Sequence, residues 1–193
     1  MKSRYLTTEE ISRLSASLKP REWLPFRVAC ETGLRIGDVL KIRVEDLDEK
    51  NVLSYTAEKT GKSGTGKLKT STAKALRAAA RGEWCFPSPR KEGAHITRQA
   101  AWERVKRAAR RSGVDVSGCS PHSFRKAYAV ELYAEKGIGA VRVALQHTSE
   151  DVTSIYALAD WITGENALKP LLRGDLPKIV EAVKKSIETD KAC

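Results

Sequence analysis

Apolar residues in the first third of the chain recur every three or four positions, which is the spacing of amphipathic helices. Thr7 and Glu10 have the spacing of a capping box, so we expect a first helix that begins at Thr7 or Thr8 and runs to about Leu18. The same period predicts further helices over residues 21–32, 36–41, 71–81, 97–111, 121–136, 139–146, 149–158 and 175–189.

One segment has the alternation of a β-strand instead. In NVLSYTA, residues 51–57, apolar and polar side chains alternate well enough for a strand. The glycine- and lysine-rich stretch EKTGKSGTGKLKT follows, and we expect a hairpin with a long mobile turn and a second strand that begins near Lys67. The predicted fold class is therefore mainly α with a small antiparallel β-sheet, an α+β fold.

Charge is the compositional feature that points to a partner. The 193 residues include 35 lysines and arginines against 24 acidic residues, a net charge of +11. Such an excess favours nucleic acid over a membrane, because no lipid-binding helix, apolar transmembrane run or signal peptide stands out. We expect a cytoplasmic, DNA-associated globular protein; the alternative is a basic protein without such a partner.

The four cysteines favour neither disulfides nor a metal site. Cys30, Cys85, Cys119 and Cys193 show no CxxC pairing, and the chain has only three histidines. We expect reduced, mostly buried thiols, with no metal and no cofactor.

The helix expected over residues 97–111 is strongly basic. We expect Ala101, Val105 and Ala108 to face inward together with Trp102. The basic side chains that should point elsewhere are Arg98, Arg104, Lys106, Arg107, Arg110 and Arg111. They could bind phosphates or form a solvated face, and both interpretations remain open.

Cutting DNA without a metal requires fixed cations for the phosphate, a nucleophile that attacks in line, and a general acid for the leaving oxygen. Arg35 lies in TGLRIGD, just after a glycine that ends a helix, and Asp38, one turn on, could hold it. In PHSFRKAY, His122 and Arg125 are three residues apart, so on a helix they share a face and can converge on one phosphate.

A third segment supplies a nucleophile. In ALQHTSEDVTSIY, His147 ends one expected helix and Tyr156 follows nine residues later, near the end of the next. A covalent intermediate on such a phenol would conserve the bond energy, so the strands could be rejoined without ATP. His95 lies outside these three segments, and we expect it at the surface.

These three segments resemble the signature motifs of the tyrosine recombinase, or phage integrase, family. The first reads TGLRIGD, the second HSFR, and the third LQH with a tyrosine nine residues beyond. The resemblance covers about residues 5–160 and implies that family's catalytic-domain fold. It also implies site-specific recombination, in which DNA strands are cleaved and rejoined through a covalent 3′-phosphotyrosyl intermediate.

The resemblance also assigns roles to the matching residues. Tyr156 would be the nucleophile, and Arg35 and Arg125 would bind the non-bridging oxygens of the scissile phosphate. His122 would assist proton transfer, and His147 would donate a hydrogen bond to the phosphate. Asp38 would hold the catalytic residues in place without contacting the phosphate itself.

The general acid for the leaving oxygen would come from the hairpin. Lys59 is the expected residue, but Lys62 and Lys67 lie on the same hairpin and could exchange roles with it. The hairpin departs from the family's usual ending, and Gln146 replaces the glycine that usually precedes the histidine. The further candidate DNA contacts are Lys62, Lys67, Lys69, Arg98, Arg104 and Arg107.

The resemblance divides the chain into a catalytic domain, 1–160, and a tail, 161–193, with a docking helix that packs either on its own domain or on a neighbouring subunit. We expect the family's N-terminal core-binding domain to be absent. The expected partner is double-stranded DNA, bound by a homotetramer, with a monomer possible when free and no membrane contact. The alternatives are a monomeric type IB topoisomerase-like enzyme and a non-catalytic DNA-binding regulator.

Overall fold

The computed structural model describes residues 3–145, which form six helices and one two-stranded antiparallel sheet. The elements are α1 (Thr8–Ala16), α2 (Pro20–Thr32), α3 (Ile36–Leu40), β1 (Val52–Thr56), β2 (Ser63–Lys67), α4 (Thr70–Ala79), α5 (Arg98–Ser112) and α6 (Pro121–Leu145). The expected fold class is confirmed. The helices expected over residues 149–158 and 175–189, together with Cys193, lie outside the described residues.

The described chain falls into two units. The first holds residues 3–129 with 144 and 145, and the second holds residues 130–143, which are helical. An aromatic cluster marks the core of the first unit: Phe26 on α2 stacks on Phe124 at a centroid distance of 5.0 Å, and Trp23 meets Phe124 edge-on at 5.6 Å. Because Phe124 directly precedes Arg125, this cluster anchors the part of α6 that carries the second motif.

The capping box at the start of α1 is confirmed. The Thr7 side chain accepts from the backbone N–H of Glu10, and the Glu10 carboxylate accepts from the N–H of Thr7. Arg4 adds two bonds to the same carboxylate, at 2.8 and 2.9 Å, and its backbone N–H donates to the carbonyl of Gly118. The segment before α1 is thereby joined to the turn that precedes α6.

The Glu10 carboxylate should make folding stability depend on acidity. Burial opposes its ionisation, but the hydrogen bonds from Arg4 and Thr7 outweigh burial and lower the pKa of Glu10. Its contribution to stability is therefore complete above the ordinary pKa of 4.5 and is lost as the pH falls through the lower folded value. We expect Glu10→Gln to lose about 1–2 kcal/mol at neutral pH and less near pH 3, measured by urea unfolding.

Glu9→Gln is the matched control, because Glu9 is exposed in the same helical turn. It should leave both the stability and its pH profile unchanged. Equal losses for Glu10→Gln at both pH values would show that the carboxylate charge is irrelevant to this site.

The second strand lies earlier than we expected. β2 spans Ser63–Lys67 and so ends, rather than begins, at Lys67, with Thr56 paired to Ser63 and Val52 to Lys67. The reason is a close approach: a Cβ at Gly66 would lie 3.1 Å from Cγ2 of Thr32 on α2. Glycine belongs to this strand because a neighbouring element packs directly on it, and not because the chain turns there.

Helix α6 also differs from expectation. It runs without a break from Pro121 to Leu145, where we had expected one helix to end near Lys136 and another to begin at residue 139. The glycines at 137 and 139 weaken a helix by about 1 kcal/mol each but do not prevent its hydrogen bonds from forming.

Two side chains of α5 are reversed relative to expectation. Trp102 is exposed, at 42%, and Lys106 is buried, at 8%. The buried face is filled by small residues such as Ala101 and Ala108, which leaves no space for an indole. The long Lys106 side chain instead crosses that face, and its ammonium donates to the carbonyl of Val116 at 2.6 Å.

His95 is not at the surface as expected, but half-buried. Its ring meets Trp84 edge-on at 5.0 Å, and its Nδ1 lies 2.8 Å from the carbonyl of Ile96. Two of the expected buried thiols, Cys85 and Cys119, are buried, and Cys30 is half-buried. Within residues 3–145, no helix combines the length and apolar character needed to cross a bilayer.

Candidate active site

Gly33 brings the first motif against helix α6. It ends α2 in a left-handed conformation, with φ of 68°, and its N–H donates to the carbonyl of Ala29. A Cβ at this position would lie 2.4 Å from Cδ1 of Tyr128 and 2.8 Å from Cδ2 of Leu145. Only glycine satisfies both the backbone angle and this contact, and the result is that the TGLR turn lies directly on α6.

Arg125 connects all three motif segments. It is buried, at 4% exposure, and its Nη1 donates to the carbonyl of Gly33, two residues before Arg35. Its Nη2 donates to the carbonyl of Leu145 at 2.9 Å, two residues before His147 in the sequence. The guanidinium thus has a structural role in joining these segments, in addition to the phosphate contact expected of it.

Arg35 has a different environment. It is the N-cap of α3, with extended backbone angles of −66° and 142°, and its side chain is half-buried. Within the described part of the chain, its guanidinium makes no hydrogen bond and no ion pair. Its donors are therefore not committed to any described group, as a phosphate-binding arginine requires.

Asp38 does not hold Arg35 as we had expected. Its Oδ1 accepts from the backbone N–H of Glu58 at 3.0 Å, and its buried Oδ2 has no hydrogen-bond partner among the described residues. The expectation failed because Arg35 lies outside the helix, so the rule that side chains three residues apart share a face does not apply to it. Asp38 instead anchors the turn of the hairpin.

The turn between β1 and β2 carries Lys59. Lys41, the C-cap of α3, donates to the Glu58 carboxylate at 2.8 Å, and this bond lowers the pKa of Glu58. Asp38 and Lys41 therefore attach both the backbone and the side chain of Glu58 to α3. Lys59, the next residue, is exposed and has no hydrogen bond within residues 3–145. The expected general acid thus lies on a turn fixed beside the first motif.

Tyr55 is a residue that we did not expect at the site. It lies on β1 opposite Gly64 and is half-buried, between the buried residues Leu53 and Ala57 of the same face. Burial raises the pKa of the Tyr55 phenol, and the charges that act on it are those of Arg125, Asp38 and Arg35. The period-two pattern of β1 could have placed this phenol on the inner face, but only the fold brings it near the arginines.

The remaining motif residues are placed only in part. His122 is the second residue of α6 and is exposed, three residues before the buried Arg125. His147, Tyr156 and Gln146 lie outside the described residues, so their positions stay predictions. The described site therefore comprises Arg35 and Arg125 at the Gly33 turn, with the hairpin turn attached through Asp38.

The candidate DNA contacts have varied surroundings. Lys62 is exposed, the ammonium of Lys67 donates to the carbonyl of Lys50, and Lys69 is the N-cap of α4. The exposed Arg98 packs over Gly37. A Cβ added at Gly37 would lie 3.3 Å from Cδ of the arginine. These residues stay predictions as DNA contacts.

Two of the candidate DNA contacts on α5 share an acidic partner. Arg104 and Arg107 lie 4.0 and 3.6 Å from the carboxylate of Glu22, and burial lowers the pKa of Arg104. This ion pairing leaves less of their charge available to a phosphate. As DNA contacts they also stay predictions. No group of three metal-ligating side chains occurs within residues 3–145.

Comparisons with known proteins identify the family. A model of the phage integrase family matches residues 4–161. A tyrosine recombinase XerD of Rhizobium meliloti (strain 1021) is 30% identical over 134 residues, which cover 65% of this chain and 43% of that protein. A probable integrase/recombinase YoeC of Bacillus subtilis (strain 168) is 26% identical over 166 residues, or 83% of this chain and 90% of that protein.

The fold agrees with solved structures. A lambda integrase dimer bound to a COC′ core site superposes with a TM-score of 0.68 at 20% identity, covering 81% of this chain and 48% of that one. The chain spans about half the length of the XerD relatives it matches. Because the family model covers most of the chain and the motifs lie within the match, this chain belongs to the phage integrase family, the family of the tyrosine recombinases.

Proposed function

We propose that this chain is the catalytic part of a site-specific recombinase that cleaves and rejoins double-stranded DNA through a 3′-phosphotyrosyl intermediate on Tyr156. The observation that carries the proposal is the bond from Arg125 to the carbonyl of Gly33, which joins the second motif to the turn that presents Arg35. Arg35 follows this turn and Arg125 is hydrogen-bonded to it, and two such guanidiniums suit a phosphodiester whose charge grows in the transition state.

The reaction follows from these groups. The Tyr156 phenol loses its proton and attacks the phosphorus, and the bond from phosphorus to the 5′-oxygen breaks. That oxygen takes a proton from the Lys59 ammonium, while Arg35 and Arg125 bind the two non-bridging oxygens. His122 assists at the phenol by accepting its proton on the imidazole, and His147 donates a hydrogen bond to the phosphate. Since the phosphotyrosyl bond conserves the energy of the broken bond, religation needs no ATP.

Relatives support a tetrameric assembly on DNA. XerH has been solved on its difH substrate in a post-cleavage complex, and lambda integrase has been solved as a tetramer on a Holliday junction. We propose the same substrate class and assembly here, at the nucleoid. A catalytic domain over residues 1–160 and a docking tail over 161–193 complete the proposal. The comparisons give no support to the two alternatives, a monomeric type IB topoisomerase-like enzyme and a non-catalytic DNA-binding regulator.

The test is covalent capture of DNA. The 193-residue chain is incubated with a library of nicked duplexes that carry randomised sequence around the nick, so that a cleaved end diffuses away and cannot be rejoined. We expect the wild-type chain to form an adduct that survives SDS, and we expect Tyr156→Phe to form none. Sequencing of the captured strands then identifies a preferred duplex. The proposal fails if the wild-type chain binds this DNA without becoming attached, or if the phenylalanine variant is captured equally well.

A further inference from the structure

Glu31, the last residue but one of α2, has an environment that the motifs do not explain. Its side chain is only 9% exposed. Its carboxylate accepts hydrogen bonds from the Thr72 hydroxyl at 2.7 Å, the backbone N–H of Lys69 at 3.0 Å, and the Arg27 Nε at 3.2 Å. A largely buried carboxylate with three donors is held in one position, and the loss of a side-chain donor removes a hydrogen bond to a charged group.

Two of the three donors, Lys69 and Thr72, belong to the segment that follows the hairpin. Lys69 is the N-cap of α4 and follows the end of β2 by two residues, and Thr72 lies in the first turn of α4. The carboxylate therefore lies at the positive end of this helix, where a negative charge is stabilised. Arg27 adds a bond to the Ser71 hydroxyl at 2.6 Å, so two successive turns of α2 hold the same end of α4.

The next residue of α2 contacts the strand itself. The Thr32 methyl packs on Gly66, which pairs with Leu53 of β1. Glu31 and Thr32 together hold the base of the hairpin at the end of α2. From there the chain passes through Gly33 to Arg35, so the same helix end positions both the hairpin and the first arginine.

The hairpin transmits this position to its turn. Five residue pairs join β1 to β2, from Val52 with Lys67 to Thr56 with Ser63, and Lys59 follows β1 by three residues. At the far end, Asp38 holds the backbone of Glu58. The hairpin is thus attached to the segment around Arg35 at both ends, by Glu31 at the base and by Asp38 at the turn.

We infer that Glu31 is a positioning residue that fixes the β1–β2 hairpin relative to the Arg35 turn and so sets the reach of the hairpin lysine to the leaving oxygen. This inference rests on the proposed function. Glu31 acts indirectly, because its hydrogen bonds go to Arg27 on α2 and to Lys69 and Thr72 at the start of α4, where the chain leaves the hairpin. A displacement of about 1 Å in a catalytic group can cost about 100-fold in rate, so loss of this anchor should slow the step that needs the lysine proton.

The test separates that step from the rest of the reaction. The preferred duplex from the covalent capture is made in two forms, one natural and one with sulfur in place of the 5′-bridging oxygen. A thiol has a pKa near 8.5, so the 5′-sulfur can leave as a thiolate without taking up a proton. The sulfur substrate therefore does not need the general acid. We expect Glu31→Ala to form the adduct about tenfold more slowly than the wild type on the oxygen substrate and at nearly the wild-type rate on the sulfur substrate.

Two further variants make the experiment decisive. Thr72→Val keeps the shape of a fully buried side chain and removes only its hydroxyl, so it should give the same pattern with less risk to folding. Glu49→Ala removes an equal charge from an exposed position in the loop before β1 and should match the wild type on both substrates. Equal slowing of Glu31→Ala and Thr72→Val on the two substrates would overturn the inference. An inactive wild-type chain would instead count against the proposed function.

Discussion

Replacing Arg35 with alanine should lower the rate of covalent adduct formation by about 10²–10³-fold while the temperature of unfolding stays unchanged. The Arg35 guanidinium makes no hydrogen bond and no ion pair within residues 3–145, so its removal breaks no described bond of either kind. Its whole contribution should appear in the transition state, where charge accumulates on the phosphate oxygens. Single-turnover rates on the captured duplex, together with thermal unfolding followed by circular dichroism, measure the two quantities.

Arg125→Ala should differ from Arg35→Ala, because it should reduce the stability of the fold as well as adduct formation. It should abolish the adduct and also destabilise the fold by about 2–4 kcal/mol, because the carbonyls of Gly33 and Leu145 lose their buried donor. Arg90→Ala, at an exposed arginine, should change neither quantity. If Arg35→Ala destabilises the fold as much as Arg125→Ala does, then it is wrong that only the Arg125 guanidinium has a structural role.

The second large effect is expected at Gly33. Gly33→Ala should cost at least about 3 kcal/mol of stability, since the new Cβ would lie 2.4 Å from Tyr128 and the backbone has a φ of 68°. The Tyr128 ring and the Leu145 side chain, both on α6, would have to shift to admit this Cβ, and α6 also carries Arg125. Chemical unfolding measures the loss, and a protein too unstable to purify agrees with the expectation.

Gly113→Ala is the matched control for that prediction. Gly113 ends α5 in the same left-handed conformation, with φ of 67°, but a Cβ there meets nothing within 4 Å. We therefore expect Gly113→Ala to lower the free energy of unfolding by only about 1 kcal/mol, which is the cost of the left-handed backbone conformation. Equal losses of stability at the two glycines would mean that the close approach of Tyr128 to position 33 adds no steric cost.

Features set by neighbouring residues in the sequence were predicted correctly. The capping box of Thr7 and Glu10 and the end of α2 at Gly33 each follow from a few residues and their spacing. The family resemblance rested on three such local motifs, and the comparisons confirmed it. Local rules suffice in these places because the side chain and the backbone group that it satisfies lie within one helical turn.

Features that depend on distant partners were missed or only partly predicted. Arg125 was expected to bind phosphate, but its bond to Gly33, 92 residues away, cannot be read from HSFR alone. The position of β2 was wrong because Gly66 resembles a turn residue until Thr32 is placed against it. Asp38 has its partner on a hairpin whose register was itself in error. Each miss concerns a contact between elements, where the fold decides which of several compatible partners a side chain meets.

If the arginines of this site serve a phosphotyrosine reaction on Tyr156, the captured DNA must be attached to that residue. Protease digestion of the captured adduct, followed by mass spectrometry of the peptide that retains nucleotide, identifies the attached residue directly. We expect a single modified peptide, with the 3′-phosphate on Tyr156. Attachment at Tyr55, a phenol on which the charges of Arg35 and Arg125 act, would contradict this expectation.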